Sequence, residues 1–463
     1  MSGFSLIVPS STSSRLSWPR KLLFGLGEFG PSVAGGTVIP FYFLFFLTDV
    51  AGIRPGLAGT LLLASRVWDA VNDPLVGTIS DRTRSRWGRR RPFMLAGALP
   101  MAVFYALLWW VPPLGEAATR AVYYFAVYFL YDLAITLVSG PYYALTPELT
   151  LDTDERTSLI SYRMAVSIGA GLLAAVALPF VFDAAPSTEA GFLWAGIGIG
   201  ALSAVPFLLI VAAFRERPGF QAQSADGKPV SITKVLRNRA FWLALCVMAA
   251  AWMAIAVVEA VFAYYLVYWA GMPEGDTPLV LATILGSAAL FLPVVNALAR
   301  RFEKKQAFIL CALTWAAVHA ALWWIPSHTL APIYLIAFFA GLGVAAAHVL
   351  PTALAVDVLE SIELDGGGRQ EGAFGGVSSF IQKLATSLAL LAIGWGLELS
   401  GYQAGAAQQS ASALTTMRVL TSWVPLGLLV VAIVAARAFP ITRDVHRRMS
   451  AELERRRAAA PGE

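Results

Sequence analysis

Asp69 and Asp73 stand four residues apart inside a long apolar stretch, with Asn72 between them and Arg66 three residues before Asp69. On a helix that spacing puts both carboxylates one turn apart on one face, which Arg66 roughly shares. Two carboxylates beside an amide offer several hard oxygen ligands to a cation such as sodium, or hold one shared proton. A purely structural Arg66–Asp69 pair is the competing reading, and it leaves Asp73 unexplained. Ionisable groups at bilayer depth cost several kcal/mol unless they are paired or face water, so each one marks a functional position.

Further along, Asp132, Thr136, Ser139 and Tyr143 recur at steps of four, three and four, which is one helical stripe. Thr136 can lend a hydroxyl oxygen to the cation, while Asp132, Ser139 and Tyr143 can hydrogen-bond a polar solute. Ser139 equally suits helix packing. Arg163, Glu259 and Lys383 lie in three other apolar stretches. Lys383 can compensate the Asp69/Asp73 pair or bind an acceptor on the substrate, and Arg163 and Glu259 can pair across a cavity. His319 and His348 read as packing histidines. Trp109, Trp110, Trp323 and Trp324 read as interface anchors.

The elements that must position these groups follow from composition. Of 463 residues, 57% are hydrophobic and 14% charged, where a soluble chain carries about a quarter charged. That excludes an ordinary soluble enzyme and makes this a membrane protein. At about 20 residues per crossing, spans fall near 29–49, 56–80, 92–112, 119–146, 158–182, 190–214, 240–270, 278–298, 306–326, 331–354, 372–399 and 416–438. The expected fold is all-α: twelve transmembrane helices in two six-helix bundles. The N-terminal bundle covers 1–214, a linker 215–239, the C-terminal bundle 240–438 and a tail 439–463, with the first residues read as a retained tail.

The net charge of +5 sits in basic clusters at 81–91, 215–239, 299–305 and 437–457, between apolar runs. These mark the cytoplasmic side rather than a nucleic-acid surface. Both termini then lie inside, at the plasma membrane, as in a bacterial inner membrane. Asp81, Arg82, Arg89 and Arg90 cap helix ends on that side, where charge pairs can act as a gate, with Asp357 and Glu371 in the equivalent second-half loop as candidate counterparts. Cys246 and Cys311 lie far apart in apolar stretches, so neither a disulfide framework nor a thiolate metal site is implied.

Carboxylates paired on one face, basic loops after alternate spans and ionisable residues in both halves together describe a cation-coupled transporter. No Gly-x-Ser-x-Gly, His-Glu-x-x-His or phosphate-binding glycine loop supports a membrane enzyme. No repeated pore-lining element supports a channel. The expected partners are a small-molecule substrate, a coupling cation (Na+ or H+) and the bilayer. No nucleic acid and no other cofactor are implied, and the chain is expected to act as a monomer.

The run Leu63-Ala64-Ser65-Arg66-Val67-Trp68-Asp69-Ala70-Val71-Asn72-Asp73-Pro74, followed by Gly77 and Asp81 through Pro92, resembles the glycoside–pentoside–hexuronide:cation symporters of melibiose-permease type. Further matches are Thr48-Asp49, Asp152 through Arg156, Ser161-Tyr162-Arg163, and Asp357 with Gly368 through Gly372. The resemblance implies the twelve-helix major facilitator fold and alternating access. It implies a cation held by Asp69 and Asp73 with help from Asn72 and Thr136; if the ion is sodium, the two aspartates are its metal ligands. The family's cavity arginine and lysine match Arg163 and Lys383. Its sugar-binding side departs: the first-helix aspartate aligns with Ser32, a fourth-helix aspartate with Ser139, and a sugar-stacking tryptophan with Tyr143. Related sodium-dependent lysolipid transporters share the cation motif, so a lysolipid-like amphiphile is the alternative substrate.

Overall fold

The structure is a computed structural model that describes residues 16–150, 153–214, 236–362, 364, 371–406 and 408–459. The first span joins α1 (Trp18–Leu26) to π-helical segments at Pro31–Phe43 and Phe46–Val50. There follow α2 (Pro55–Arg82), α3 (Arg91–Leu108), α4 (Ala117–Leu149), α5 (Thr153–Ala184) and α6 (Thr188–Ala213). The second half runs α7 (Arg239–Tyr264, extended by a π turn, Tyr265–Trp269), α8 (Thr277–Arg301), α9 (Lys304–Trp323), α10 (Ala331–Ile362) and α11 (Glu371–Leu399). The last span is α12 (Ala411–Thr421) continued by α13 (Trp423–Ala438), and α14 (Arg443–Ala459) forms the tail. Among the described residues there is no strand.

Eleven stretches among the described residues are long and apolar enough to cross a bilayer. The remaining expected span, α2, has 28 residues, about 42 Å at ~1.5 Å per residue, against a hydrocarbon core of about 30 Å. Its length suffices, and what it lacks is apolarity, because Arg66, Asp69, Asp73, Asp81 and Arg82 all sit on it. Such a helix is stable in a bilayer only if its charged face is turned inward.

The first span starts at Trp18 rather than near residue 29. Arg20, Lys21 and Glu28 lower the apolar average that sequence reading relies on. The structure tolerates Lys21 because its ammonium meets Glu155 at 2.9 Å and Ser158 at 3.0 Å. Trp109 is also placed differently from expectation. It is 1% exposed and packs among Phe43, Phe46 and Phe192 at ring distances of 5.4, 5.2 and 5.4 Å, a core residue rather than an anchor. Trp324, 79% exposed, is free to sit at an interface.

The halves meet in a symmetric way, with α2 packed along α11 and α5 along α8. In each case the second span of one half lies against the fifth of the other, as expected of two repeats related by an axis along the membrane normal. Close approach of α2 and α11 depends on glycine. A Cβ on Gly59 would stand 2.9 Å from the Leu390 carbonyl and 3.2 Å from Gly394 Cα, so small residues set this contact. It brings the acidic face of α2 against α11. Most of the 215–239 linker, residues 215–235, lies outside the described residues.

Candidate functional site

The α2–α11 contact builds the centre of the site. Lys383 of α11 places its ammonium 2.8 Å from Asp69 Oδ2 and 2.5 Å from Asp73 Oδ2, so it bridges both carboxylates from the opposite half. Arg66 Nη1 is a more distant partner of Asp69, at 3.9 Å. From α4, the Thr136 hydroxyl donates to Asp73 Oδ1 at 3.2 Å. The Asn72 amide donates to the Asp132 backbone carbonyl at 3.3 Å and to its Oδ2 at 3.4 Å. Asp69, Asn72, Asp132 and Thr136 are buried, while Asp73 is exposed. Of the four expected cation ligands, Asp69, Asp73 and Thr136 are thus brought together with the Lys383 ammonium between the carboxylates, while the Asn72 amide is turned to Asp132.

Arg163 of α5 has a different partner from the one expected. Its guanidinium pairs with Glu28, from Nε at 2.9 Å and Nη2 at 2.9 Å, and it donates to Thr146 at 3.3 Å. It also lies over the rings of Tyr142 and Tyr143 at 5.0 and 4.7 Å, while the Tyr143 hydroxyl donates to Glu28 at 3.3 Å. The expected Arg163–Glu259 pair does not form: α1 packs along α5, and Glu28, just after α1, takes the guanidinium. Glu28, 7% exposed, went unrecognised in the sequence since it falls one residue before the span assigned there. A lone acidic residue between Gly27 and Phe29 was its available signal. Ser32 exchanges a hydrogen bond with Ser167 at 2.6 Å, and Ser139 bonds back to the Ile135 carbonyl at 2.8 Å. Both hydroxyls are therefore used within the N-terminal half.

A central cavity of about 360 Å³ lies between the halves. Arg66, Glu259 and Lys383 give it charge, Gln382 and Tyr128 add hydrogen-bonding groups, and Trp252 and His348 add aromatic surface. Glu259 has no hydrogen bond or ion pair among the described residues. Of the expected solute contacts, Glu259 and Lys383 reach this wall, whereas Ser32, Asp132, Ser139, Tyr143 and Arg163 stand behind it in the N-terminal half. The sequence reading did not single out Gln382, Tyr128 or Trp252.

The two ends of the molecule differ. At one end Asp49 accepts from the hydroxyls of Tyr268 and Tyr402 and from the Gly405 amide at 3.3 Å, all from the second half. Thr48 and Tyr264 share a hydrogen bond of 2.7 Å, and Glu398 accepts from the Gly56 amide at 2.7 Å. This end is sealed between the halves. At the basic end no ion pair joins Arg82 to the second half among the described residues. Arg90 is buried and donates to Ser80 at 2.8 Å, and Arg89 is buried beside it in sequence.

In this state Asp357 is engaged within the second half. It is 3% exposed and is bound by Lys304 at 2.6 Å and His446 at 3.2 Å, which pins the tail helix α14 to α10. The side chains of Asp81 and Glu371 lie outside the described residues.

The MFS/sugar transport protein family matches residues 23–443. An uncharacterized symporter of Synechocystis sp. is 30% identical, over 96% of this chain and 98% of its own length. The sodium-dependent lysophosphatidylcholine symporter 1-A of Danio rerio is 27% identical over 92% and 86% of the two chains. The isoprimeverose transporter of Lactiplantibacillus pentosus is 26% identical over 95% and 92%. Among solved structures, an inward-open xylose transporter from E. coli has the same fold, with TM-score 0.65 at 15% identity, covering 94% of this chain and 98% of that one. The protein is a multi-pass membrane transporter and not an enzyme, and the chain belongs to the MFS/sugar transport family, among the cation symporters that its second-helix motif resembles.

Proposed function

We propose that this symporter moves a glycoside-like or other small polar organic solute together with sodium or a proton by alternating access. The observation that carries the reading is Lys383 bridging Asp69 and Asp73 from the opposite half. Asp69 and Asp73, with Thr136 and Asn72, hold the coupling cation. When it binds, the cation displaces the ammonium, and Lys383 turns to the cavity to meet acceptors on the solute beside Arg66, Glu259 and Gln382. Cation and solute thereby favour each other, and by linkage the factor is the same in both directions.

Asp132 orients Asn72, and Arg163, Glu28 and Tyr143 brace the N-terminal helices behind the site, so these residues act on the solute through the frame. Arg82 and its neighbours hold the basic end in the state opposite to this one. The basic connectors and both termini are cytoplasmic. The protein works as a monomer in a plasma membrane of the bacterial inner-membrane type and needs no nucleic acid. A lysolipid-like substrate is the second reading, supported by the Danio rerio relative. The charge of Arg66, Glu259 and Lys383 on the cavity wall favours a polar solute instead.

A thermal-shift screen of the purified protein with glycosides, hexuronates and lysolipids, with and without sodium and at two pH values, tests this. A ligand that binds the folded state raises its apparent stability. A glycoside or hexuronate response that grows with the cation is expected. A response confined to lysolipids would overturn the polar-solute reading.

A further inference from the structure

Beside the central cavity lies a second one of about 100 Å³, lined mainly by α7, α8, α9 and α10 of the C-terminal half and closed by Gly36 and Phe41 of the first span. The two share Gly36, Glu259 and His348, so they adjoin at these residues. Its character is different. Ile255, Phe262, Ile284, Trp315, Ile336 and Ala340 make it almost wholly apolar.

Glu259 and His348 stand on the side shared with the central cavity, and a third polar side chain, His319, lies among the apolar ones. His319 is 2% exposed, and its Nδ1 lies 2.9 Å from the backbone carbonyl of Thr421. A carbonyl can only accept, so Nδ1 carries the proton of a neutral ring and Nε2 is left as an acceptor. That Nε2 is buried and has no hydrogen-bond partner. No carboxylate forms an ion pair with the ring among the described residues to compensate a charged imidazole. An unpaired acceptor in an apolar wall is costly in the empty protein and is relieved by a ligand that brings a donor. Packing alone does not call for it, since a phenylalanine would fill the same wall without the unpaired nitrogen.

We propose that this side cavity is a substituent subsite: it takes a compact apolar group, such as an aryl ring, attached to the polar part of the substrate, and His319 Nε2 accepts a hydrogen bond from a hydroxyl at its far end. The inference rests on the polar-solute reading of the central cavity and narrows it to aryl or comparably compact apolar glycosides. The polar head stays with Lys383, Glu259 and Gln382, and the ring passes Glu259 and His348 into the C-terminal half. No bond is made or broken; the selectivity comes from apolar burial and one hydrogen bond.

The test is a binding titration on the full-length purified protein with methyl, phenyl and 4-hydroxyphenyl glycosides of glucose, galactose, xylose and glucuronic acid, each with saturating sodium and at low pH. Phenyl should bind at least tenfold tighter than methyl in the sugar series that binds, and 4-hydroxyphenyl about tenfold tighter again. Ala340→Leu, which fills the cavity, should erase the aryl gain, and His319→Phe should erase the hydroxyl gain while keeping the aryl gain. Retention of the cation-induced thermal shift confirms that either variant is folded. Equal affinity of methyl and phenyl glycosides overturns the subsite while leaving the central site standing. Equal affinity of phenyl and hydroxyphenyl glycosides, or a hydroxyl gain that survives His319→Phe, overturns the role of His319. Failure of every glycoside to bind overturns the polar-solute reading and the subsite with it.

Discussion

Lys383 lies 2.5 Å from Asp73, although the two residues belong to opposite halves of the molecule and stand 310 positions apart. Under the proposed alternating access, such a pair ties occupancy of the proposed cation site to conformation. The Lys383 ammonium offsets one of the two carboxylate charges. With a cation present, the like charges cannot share the space at contact distance.

Asp69→Asn and Asp73→Asn should each abolish cation-driven accumulation in proteoliposomes while leaving inserted, folded protein, because the amide keeps size and loses charge. Uphill uptake surviving in both variants would remove these residues from the coupling site.

Glu28 and Arg163 form a mostly buried pair, with side-chain exposures of 9% and 13%. Arg163→Ala leaves Glu28 uncompensated and should cost about 3–5 kcal/mol of stability. Glu28→Gln introduced into that background should recover a large part of the loss. A double-mutant cycle on apparent melting measures the coupling, and additive losses would show that the pair does not act as a unit.

At the sealed end, Tyr268 and Tyr402 both donate to Asp49. Hydrogen bonds to a charged group contribute about 1.5–3 kcal/mol each, comparable with the few kcal/mol that separate two transporter states. Tyr402→Phe should therefore shift the population toward the state open at this end by about tenfold. Maleimide labelling of Ser379→Cys in the central cavity, with Cys246 and Cys311 replaced, reads the shift as faster modification from that side. An unchanged rate would mean that Asp49 does not hold the closure.

The proposed role of Arg82 is to hold the basic end closed in the opposite state. Arg82→Gln should raise the proportion of the present state and increase labelling of the same reporter from the basic side, with cation affinity little altered. Reduced labelling from that side would contradict the assignment.

How much of this could be read from the sequence depends on the kind of relation involved. Asp69 and Asp73 are neighbours within one helix, and four-residue spacing reveals that directly. Thr136 was accessible because it recurs in register with Asp132 and Tyr143 on α4. Pairings between helices were harder. Lys383 was a correct candidate for compensating the aspartates because a membrane lysine needs a carboxylate. Arg163 was offered Glu259, and the structure supplies Glu28, because hydropathy does not say which helix lies beside α5. Glu28 itself was lost to the apolar average that hid the first turns of α1. Trp109 carried an anchor-like sequence position and is buried by Phe192, a neighbour that only packing discloses.

The most direct measurement is the cation dissociation constant of Lys383→Ala beside that of the unaltered protein, by tryptophan fluorescence titration with sodium and with protons. If Lys383 occupies the coupling site in the cation-free state, its removal eliminates an internal competitor. The account then predicts at least tenfold tighter binding of the coupling cation, together with loss of the mutual enhancement between cation and solute. Cation affinity that is unchanged or weaker in a folded Lys383→Ala protein would contradict it.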